Sequence, residues 1–437
     1  MKCSPLFRFG SNHNFQSVSA LLAYKTLTTL VAPLGASFLA YKKRNDPPYG
    51  KRIFELLGCY KDRLESCVWF HGASVGEINA IKPLIVEFQK QHPFENIVLT
   101  TMTTTGLNAA KYLKGVNVEF SPLDSPLAVS GFLNSFNPKA LIIIDTELWP
   151  NMLGLAKKHG CMISIVNARM QEKNCISYLK HKTLVEDLIS SNLSKVMCIT
   201  EADKERFIKI GVPKQNVMVT GNIKYDLKPR ENMFNDAMVL KTQLLGDCVF
   251  GAISTHDGEE TTIIDSYVKA KETIKDLKLV LVPRHQTAGT LSCEYLDKLG
   301  ISYVRKSSLK SISDFTGDIL IGDTIGEIET YFGLCDLVLM GGSFVNIGGH
   351  NPLEPAFFSL PILTGPDYHN FTEQFDKLIE CGGAYLAEDS AKLSKYIVKL
   401  LSDKELLKKT GIKALDIQQQ GRGALNKTLE QLDKLLY

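Results

Sequence analysis

The sequence predicts an α/β protein of two consecutive domains, each a parallel sheet covered by helices on both faces. Three observations predict it. At 437 residues the chain exceeds what one ordinary core holds. Short runs that are apolar throughout alternate with amphipathic stretches, as expected of strands buried on both faces and joined by helices. The alternation breaks once, over residues 226–238, whose Pro and Asn content marks a linker, and then restarts.

The amino terminus comes first. Residues 17–41, SVSALLAYKTLTTLVAPLGASFLAY, are apolar apart from Lys25 and a few hydroxyls, and Lys42, Lys43 and Arg44 follow. A spanning helix needs about 20 apolar residues, and Lys25, Pro33 and Gly35 make this one marginal. A signal peptide fits worst, since the thiol-rich remainder has the look of a cytoplasmic protein and no clear small-x-small site precedes Lys42. Three placements fit: a spanning anchor with the basic cluster on the cytoplasmic side, a helix lying in the membrane surface with Lys25 snorkelling, and an amphipathic helix packed on the body. Asn45, Asp46, Pro47 and Pro48 then mark a loop.

In the first half the strand-like runs are 67–71, 96–102, 140–145, 163–166 and 196–200, with helix-like segments at 77–91 and 106–113. In the second they are 249–253, 277–282, 318–321, 337–340 and 361–363, and 405–436 closes the chain as helix. This divides the protein into a membrane-associated segment (1–50) and two Rossmann-like domains (51–225 and 226–437). Ligands of such sheets bind at the carboxyl ends of the strands, so a cleft there is the expected site. The halves also open alike, VWFHGASVGE at 68–77 and VFGAISTHDGEE at 249–260.

Composition narrows the chemistry. Net charge is +3 with charges interspersed, which gives no signal for nucleic acid. Ten cysteines form no C-x-x-C pair and several sit in apolar runs, reading as buried thiols of a reducing compartment. No H-E-x-x-H spacing, strand-following G-x-G-x-x-G or G-x-x-x-x-G-K-[ST] occurs, which argues against zinc-protease, simple dehydrogenase and P-loop chemistry.

Four constellations carry the candidate chemistry, all at strand ends. In HGASVGE, Glu77 opens a helix and can take a proton from an attacking hydroxyl; the alternative is that Ser74 and Glu77 close a capping box. In IDTELWP, Asp145 and Glu147 project into a loop fixed by Trp149 and Pro150; the alternative is a helix cap. In TGNIKYD, Lys224 adjoins the linker and can neutralise a leaving phosphate, or is a surface lysine. The fourth group is in the second domain: Ser254-Thr255-His256, Pro283-Arg284-His285, the 322–327 loop, and Gly341-Gly342-Ser343 leading into Gly348-Gly349-His350-Asn351-Pro352-Leu353-Glu354. Arg284 and His285 beside a helix start suit a phosphate, and Glu354 can grip ribose hydroxyls.

At these residues the chain resembles the 3-deoxy-D-manno-octulosonic acid (Kdo) transferases of lipopolysaccharide synthesis. The resemblance runs from about Lys51 to Leu432 and rests on HGASVGE, TELWPN, NARM, TGNIKYD, STHDGEE, LVPRH, GDTIGE and GGSFVNIGGHNPLEPA. It implies a GT-B fold, two Rossmann-like domains facing across a cleft with acceptor on the first and nucleotide on the second. It implies an inverting glycosyltransferase without metal or other cofactor. CMP-Kdo is the implied donor, a lipid A precursor (lipid IVA) the acceptor, and the cytoplasmic face of the inner membrane the place. By the same resemblance Glu77 matches the proton acceptor, and Asp145 and Lys224 match transition-state stabilisers. Arg284, His285, Ile325, Gly326, Glu327, Asn351, Pro352, Leu353 and Glu354 match CMP-binding positions. The chain departs from the family twice. Asp145 replaces a usual Glu, retracting the carboxylate by one methylene, with Glu147 near enough to compensate. Many members also carry Gly-Glu-Arg after the membrane segment, where this chain reads KRIFELLG, keeping only Glu55. A helix start at Glu77 is expected to favour its ionised form. Two other readings stand beside this one: another GT-B sugar transferase or nucleotide-sugar epimerase, and a non-catalytic membrane adaptor of the same fold.

Overall fold

The computed structural model describes residues 13–43, 47–226, 228–246, 248–311 and 314–437. Arg44 of the basic cluster, and Asn45 and Asp46 of the expected loop, lie outside them. The chain forms two compact units, Met1–Asp226 with Arg422–Tyr437, and Leu227–Gly421.

The first unit is a seven-stranded sheet of β1 (Cys67–His71), β2 (Ile97–Thr101), β3 (Val116–Phe120), β4 (Pro138–Ile144), β5 (Met162–Ala168), β6 (Lys195–Cys198) and β7 (Val217–Val219). The order is β3-β2-β1-β4-β5-β6-β7 and every pairing is parallel. Strand order reverses between β1 and β4, so the loops after these two strands open at the switch point where such sheets bind ligands. The apolar runs are continuous because both faces are covered. Trp69, Val98, Leu141 and Ile143 enter one core, whereas Val68, Phe70, Leu99 and Ile142 enter the other. That alternation is the two-residue period of a strand with a core on each side.

The second unit repeats the plan. Its strands are β8 (Val249–Thr255), β9 (Lys278–Pro283), β10 (Val304–Arg305), β11 (Ile319–Ile321), β12 (Leu337–Met340), β13 (Ile362–Thr364) and β14 (Ala384–Leu386). They run parallel in the order β10-β11-β9-β8-β12-β13-β14. The switch point here lies between β8 and β12.

Four readings differ from expectation. Most of the stretch read as linker is helix Glu231–Leu244, packed so closely on helix Ile328–Gly333 that a Cβ on Gly333 would sit 2.4 Å from the Phe234 carbonyl. The second domain does not extend to residue 437: helix Ala424–Leu436 returns to the first unit and buries Ala424, Leu425, Leu429 and Leu432 in the core that holds Phe88. Asp226 fixes that return, its carboxylate accepting the Gly423 and Leu425 N–H groups at 2.7 and 2.8 Å. The closing helix is therefore two, Lys404–Gln420 and Ala424–Leu436, broken where Gly423 takes φ +98°. Pro47 and Pro48, read as loop, begin the short helix Pro47–Arg52, where proline's missing N–H costs nothing.

The amino-terminal segment is one helix, His13–Lys42, with Pro33 inside it. No described helix is long and apolar enough to cross a membrane. Leu27, Leu30, Val31, Leu34, Phe38 and Tyr41 are exposed along it, while Ala36 is buried and Leu39 packs against the small core of Tyr49, Leu56, Leu107 and Phe120. The KRIFE departure is structural. Arg52 bonds Glu55 at 2.5 Å and also pairs with Glu119, and Glu55 accepts the Phe120 N–H at 3.0 Å, so the segment is pinned to β3.

Candidate active site

In the first unit, β1 ends at His71 and helix Val75–Gln91 begins four residues later. His71 is buried, its Nδ1 lies 2.9 Å from Thr100 Oγ1, and burial lowers its pKa to about 4, so it is neutral. Gly72 makes the tight turn possible: a Cβ there would press on Ile144 at 3.1 Å and Glu77 at 3.3 Å. Ser74 and Glu77 do form the capping box, so that reading of the motif holds as geometry. Glu77 Oε2 accepts the Ala73 and Ser74 N–H groups at 2.5 and 3.3 Å. The box and a reactive carboxylate are compatible, because the box is what fixes the side chain.

The direction of the expected shift at Glu77 is reversed. Its pKa is raised, first by burial and then by the charges of Glu147 and Asp145, against the two backbone N–H groups that lower it. Two neighbouring carboxylates and a half-buried position outweigh the helix start, and the result is a stronger base than an exposed glutamate.

Asp145 ends β4 in the left-handed region at φ +61°, buried, with Arg169 Nη2 3.6 Å from Oδ2. Asn167, at φ +53°, donates from Nδ2 to Asp145 Oδ1 at 3.0 Å and accepts the Ile223 N–H at 3.0 Å. Through Asn167 the Asp145 loop is thus tied to the short 3-10 turn Ile223–Tyr225 that carries Lys224, itself held by Asn222 Oδ1 at 3.0 Å from its N–H. Trp149 does fix its loop, donating from Nε1 to Glu147 Oε2 at 2.8 Å. Asp124 anchors the helix that follows: its carboxylate accepts the Asn151 and Met152 N–H groups at 3.2 and 2.7 Å. The structure therefore brings Glu77, Asp145 and Glu147 into electrostatic reach of one another and ties Lys224 to the same network. Sequence reading gave no role to Asn167 or Arg169; the NARM motif that contains them was the available signal.

In the second unit the expected nucleotide residues occupy loops after β9, β11 and β12. Arg284 and His285 are exposed, and His285 precedes helix Gln286–Leu299. Ile325 is fully exposed and Gly326 takes φ +84°. Arg230 braces this loop, donating to the Gly326 carbonyl and to Glu329, both at 2.6 Å. Glu327 accepts from Thr324 Oγ1 at 2.5 Å. Asn351 caps the turn by accepting the Leu353 N–H at 3.1 Å. Pro352 and Leu353 are buried, so any ligand contact from them is through the backbone. Glu354 lies in the first turn of the short helix Leu353–Phe357, and burial raises its pKa to about 7. Arg284 lowers it and Glu329 raises it, which places all three in one electrostatic neighbourhood. Sequence reading assigned no role to Arg230, which lies in the stretch it took for linker. Among the described residues no group of three His, Cys, Asp or Glu is placed to hold a metal ion.

Residues 51–227 match the family model described as 3-deoxy-D-manno-octulosonic-acid transferase (kdotransferase). The chain is also 32% identical over 422 residues to the 3-deoxy-D-manno-octulosonic acid transferase of Haemophilus influenzae, covering 94% of this chain and 98% of that one. The chain belongs to the Kdo transferase family. It is therefore a glycosyltransferase by family, which sets aside the epimerase and adaptor readings. The Aquifex aeolicus Kdo transferase is 28% identical over 365 residues, covering 81% of this chain and 93% of that one. Among solved structures, the UDP-GlcNAc 2-epimerase from Neisseria meningitidis aligns with TM-score 0.55 at 14% identity, over 84% of this chain and all of that one. That likeness concerns the fold alone, and it agrees with the expected GT-B class of two parallel-sheet α/β domains. The stretch matched by the Kdo transferase family model contains Glu77, Asp145 and Lys224.

Proposed function

We propose that this Kdo transferase moves Kdo from CMP-Kdo to a hydroxyl of a lipid A precursor, with inversion, and that Glu77 is its general base. The observation that carries the reading is the Glu77 carboxylate, fixed by a capping box at the switch point of the first sheet, with a pKa raised by burial and by Glu147 and Asp145. In the proposed step the acceptor oxygen bonds to the anomeric carbon of Kdo as the bond from that carbon to the phosphate oxygen breaks. The hydroxyl proton passes to Glu77, and the electrons of the broken bond leave with CMP. Lys224 and Arg284 are the proposed counter-charges for the donor's carboxylate and phosphate. Glu354, Asn351 and the 325–327 loop are the proposed nucleotide contacts.

The acceptor's acyl chains stay in a bilayer while the donor is soluble, so the enzyme must work at a membrane surface. We place it on the cytoplasmic face of the inner membrane, held by the exposed apolar stripe of helix His13–Lys42. Mass spectrometry of products from purified protein, CMP-Kdo and a tetraacyl lipid A precursor tests the whole reading. A product heavier by Kdo residues, absent when CMP-Kdo is omitted, is expected. Release of free Kdo with unmodified lipid would reject the acceptor.

A further inference from the structure

The second unit holds a histidine cluster in which His256 and His350 have no task in the transfer step above. His256 follows β8, His285 follows β9, and His350 lies in the glycine-rich loop after β12. The Nε2 atoms of His256 and His350 are 2.8 Å apart, and with ring centroids 5.1 Å apart and 9° between planes the two rings lie nearly coplanar and meet end to end. His285 meets His256 edge-on at 5.3 Å. At that separation one Nε2 donates and the other accepts, so the pair holds a single proton between the two rings.

The pair is held by the fold beneath it. Glu259 is wholly buried, and its carboxylate accepts the N–H groups of His256 at 2.8 Å, Gly342 at 2.7 Å, and Ser343 and Phe344 at 3.0 Å each. One carboxylate thus locks the turn carrying His256 to the turn leading toward His350. Gly342, at φ +69°, lies beside both rings: a Cβ there would stand 3.4 Å from Cδ2 of each. The charged groups acting on His350 are His256, Arg284 and His285, all of which disfavour its protonation. Those acting on His256 are Glu259, Asp257, His285 and Arg284. Glu259 is already taken up by four amides, and Arg284 is exposed beside the cluster.

We propose that His256 and His350 form an anion-recognition pair beside Arg284 and His285, taking the phosphate or the carboxylate of the nucleotide-sugar. This rests on the reading of the second unit as the donor site and deepens it. In the ligand-free state burial and the neighbouring positive groups bring His350 down to about 3 and lower His256, so both are neutral near pH 7. An anion reverses that balance by stabilising an imidazolium. Binding then takes a proton from solvent onto the pair, and release of the anion returns it. Anion affinity must therefore rise as pH falls toward neutrality.

Titration calorimetry of the full chain with CMP, in two buffers of different ionisation enthalpy just above neutral pH, reads this directly. Proton uptake with CMP and none with cytidine is expected if the phosphate is the anion; uptake with free Kdo instead assigns the pair to the carboxylate. His256→Gln and His350→Gln should abolish the uptake and weaken the responsible anion by roughly 10- to 100-fold. Circular dichroism checks their folding, and His256→Asn replaces a variant that does not fold. Unchanged uptake and affinity in the variants, or CMP and Kdo binding by the unmodified chain with no proton uptake, overturns the pair while leaving the donor reading standing. Failure of the unmodified chain to bind either CMP or Kdo overturns both.

Discussion

Asp145 and Asn167 stand side by side at the ends of adjacent strands, both at positive φ, with Asn167 Nδ2 donating to Asp145 Oδ1 at 3.0 Å. Non-glycine residues in that region cost about 1–3 kcal/mol each and cluster at functional sites. Here the strain aims two side chains into one loop. Asn167 spends its other amide atom on the Ile223 N–H, next to Lys224. Asn167→Ala should lower kcat by about 10-fold with KM little changed, because Asp145 loses its orientation, and should destabilise the unit by roughly 1–2 kcal/mol. Steady-state kinetics and urea unfolding measure the two effects separately. A drop in stability with normal kcat would make Asn167 purely structural.

Glu77→Gln keeps the hydrogen-bond acceptor of the capping box but cannot take a proton. Transfer should fall by about 10²–10⁴-fold, with CMP affinity unchanged because the proposed nucleotide contacts lie in the other unit. Turnover near that of the unmodified chain would remove Glu77 as the base.

The pH profile carries a second test of the same carboxylate. A base must be deprotonated, so activity should rise with pH through the raised pKa of Glu77. Glu147→Gln removes a negative neighbour that raises this pKa, so the acid limb should move to lower pH. An acid limb that stays in place means that Glu147 does not act on the ionisation being measured.

Much of the fold was legible, and the missed strands share one position. The four strands absent from the sequence reading, β3, β7, β10 and β14, are the two edges of each sheet; β7 (VMV) and β14 (AYL) are apolar but only three residues long. An edge strand is short and partly exposed, so Val116–Glu119 reads VNVE and Val304–Arg305 reads VR, where the central strand Pro138–Ile144 reads PKALIII. The return of helix Ala424–Leu436 to the first unit depends on Asp226 accepting two N–H groups from almost 200 residues away. No local pattern encodes that pairing. The candidate residues' places at strand ends were legible wherever a polar loop follows an apolar run, as at Glu77, Asp145 and Arg284. The charge balance that raises Glu77 depends on which loops meet, and that emerges only from the sheet order.

Glu354 carries a matching prediction for the nucleotide. It sits in the first turn after Pro352, partly buried, with Asn351 Nδ2 at 3.4 Å from Oε1. Glu354→Ala should weaken CMP by at least 10-fold if the carboxylate grips the ribose, since hydrogen bonds to charged groups contribute about 1.5–3 kcal/mol. Acceptor affinity should stay the same. Calorimetry giving an unchanged CMP dissociation constant would take Glu354 out of the site.

The last prediction concerns helix His13–Lys42. Its inner side is fastened by polar contacts: Tyr24 donates from its hydroxyl to Asp124 Oδ2 at 2.7 Å, and Asn151 Nδ2 donates to Thr28 Oγ1 at 3.0 Å. Its outer side offers Leu27, Leu30, Val31, Leu34, Phe38 and Tyr41 to the surroundings. Because Asp124 also anchors the helix after Trp149, the two sides have separable roles. Replacing Leu30, Leu34 and Phe38 together with glutamine alters only exposed positions, so folding stability should change by no more than about 0.5 kcal/mol at each. Burying each of these side chains in a bilayer interface contributes about 1.5–3 kcal/mol, so the triple variant should lose partitioning into liposomes by at least roughly 100-fold. Activity on acceptor embedded in bilayers should fall with it, whereas activity on detergent-dispersed acceptor should fall less. Tyr24→Phe should do the reverse, leaving flotation intact and loosening the contact to Asp124. Flotation of the triple variant equal to that of the unmodified chain would place the membrane attachment elsewhere on the protein.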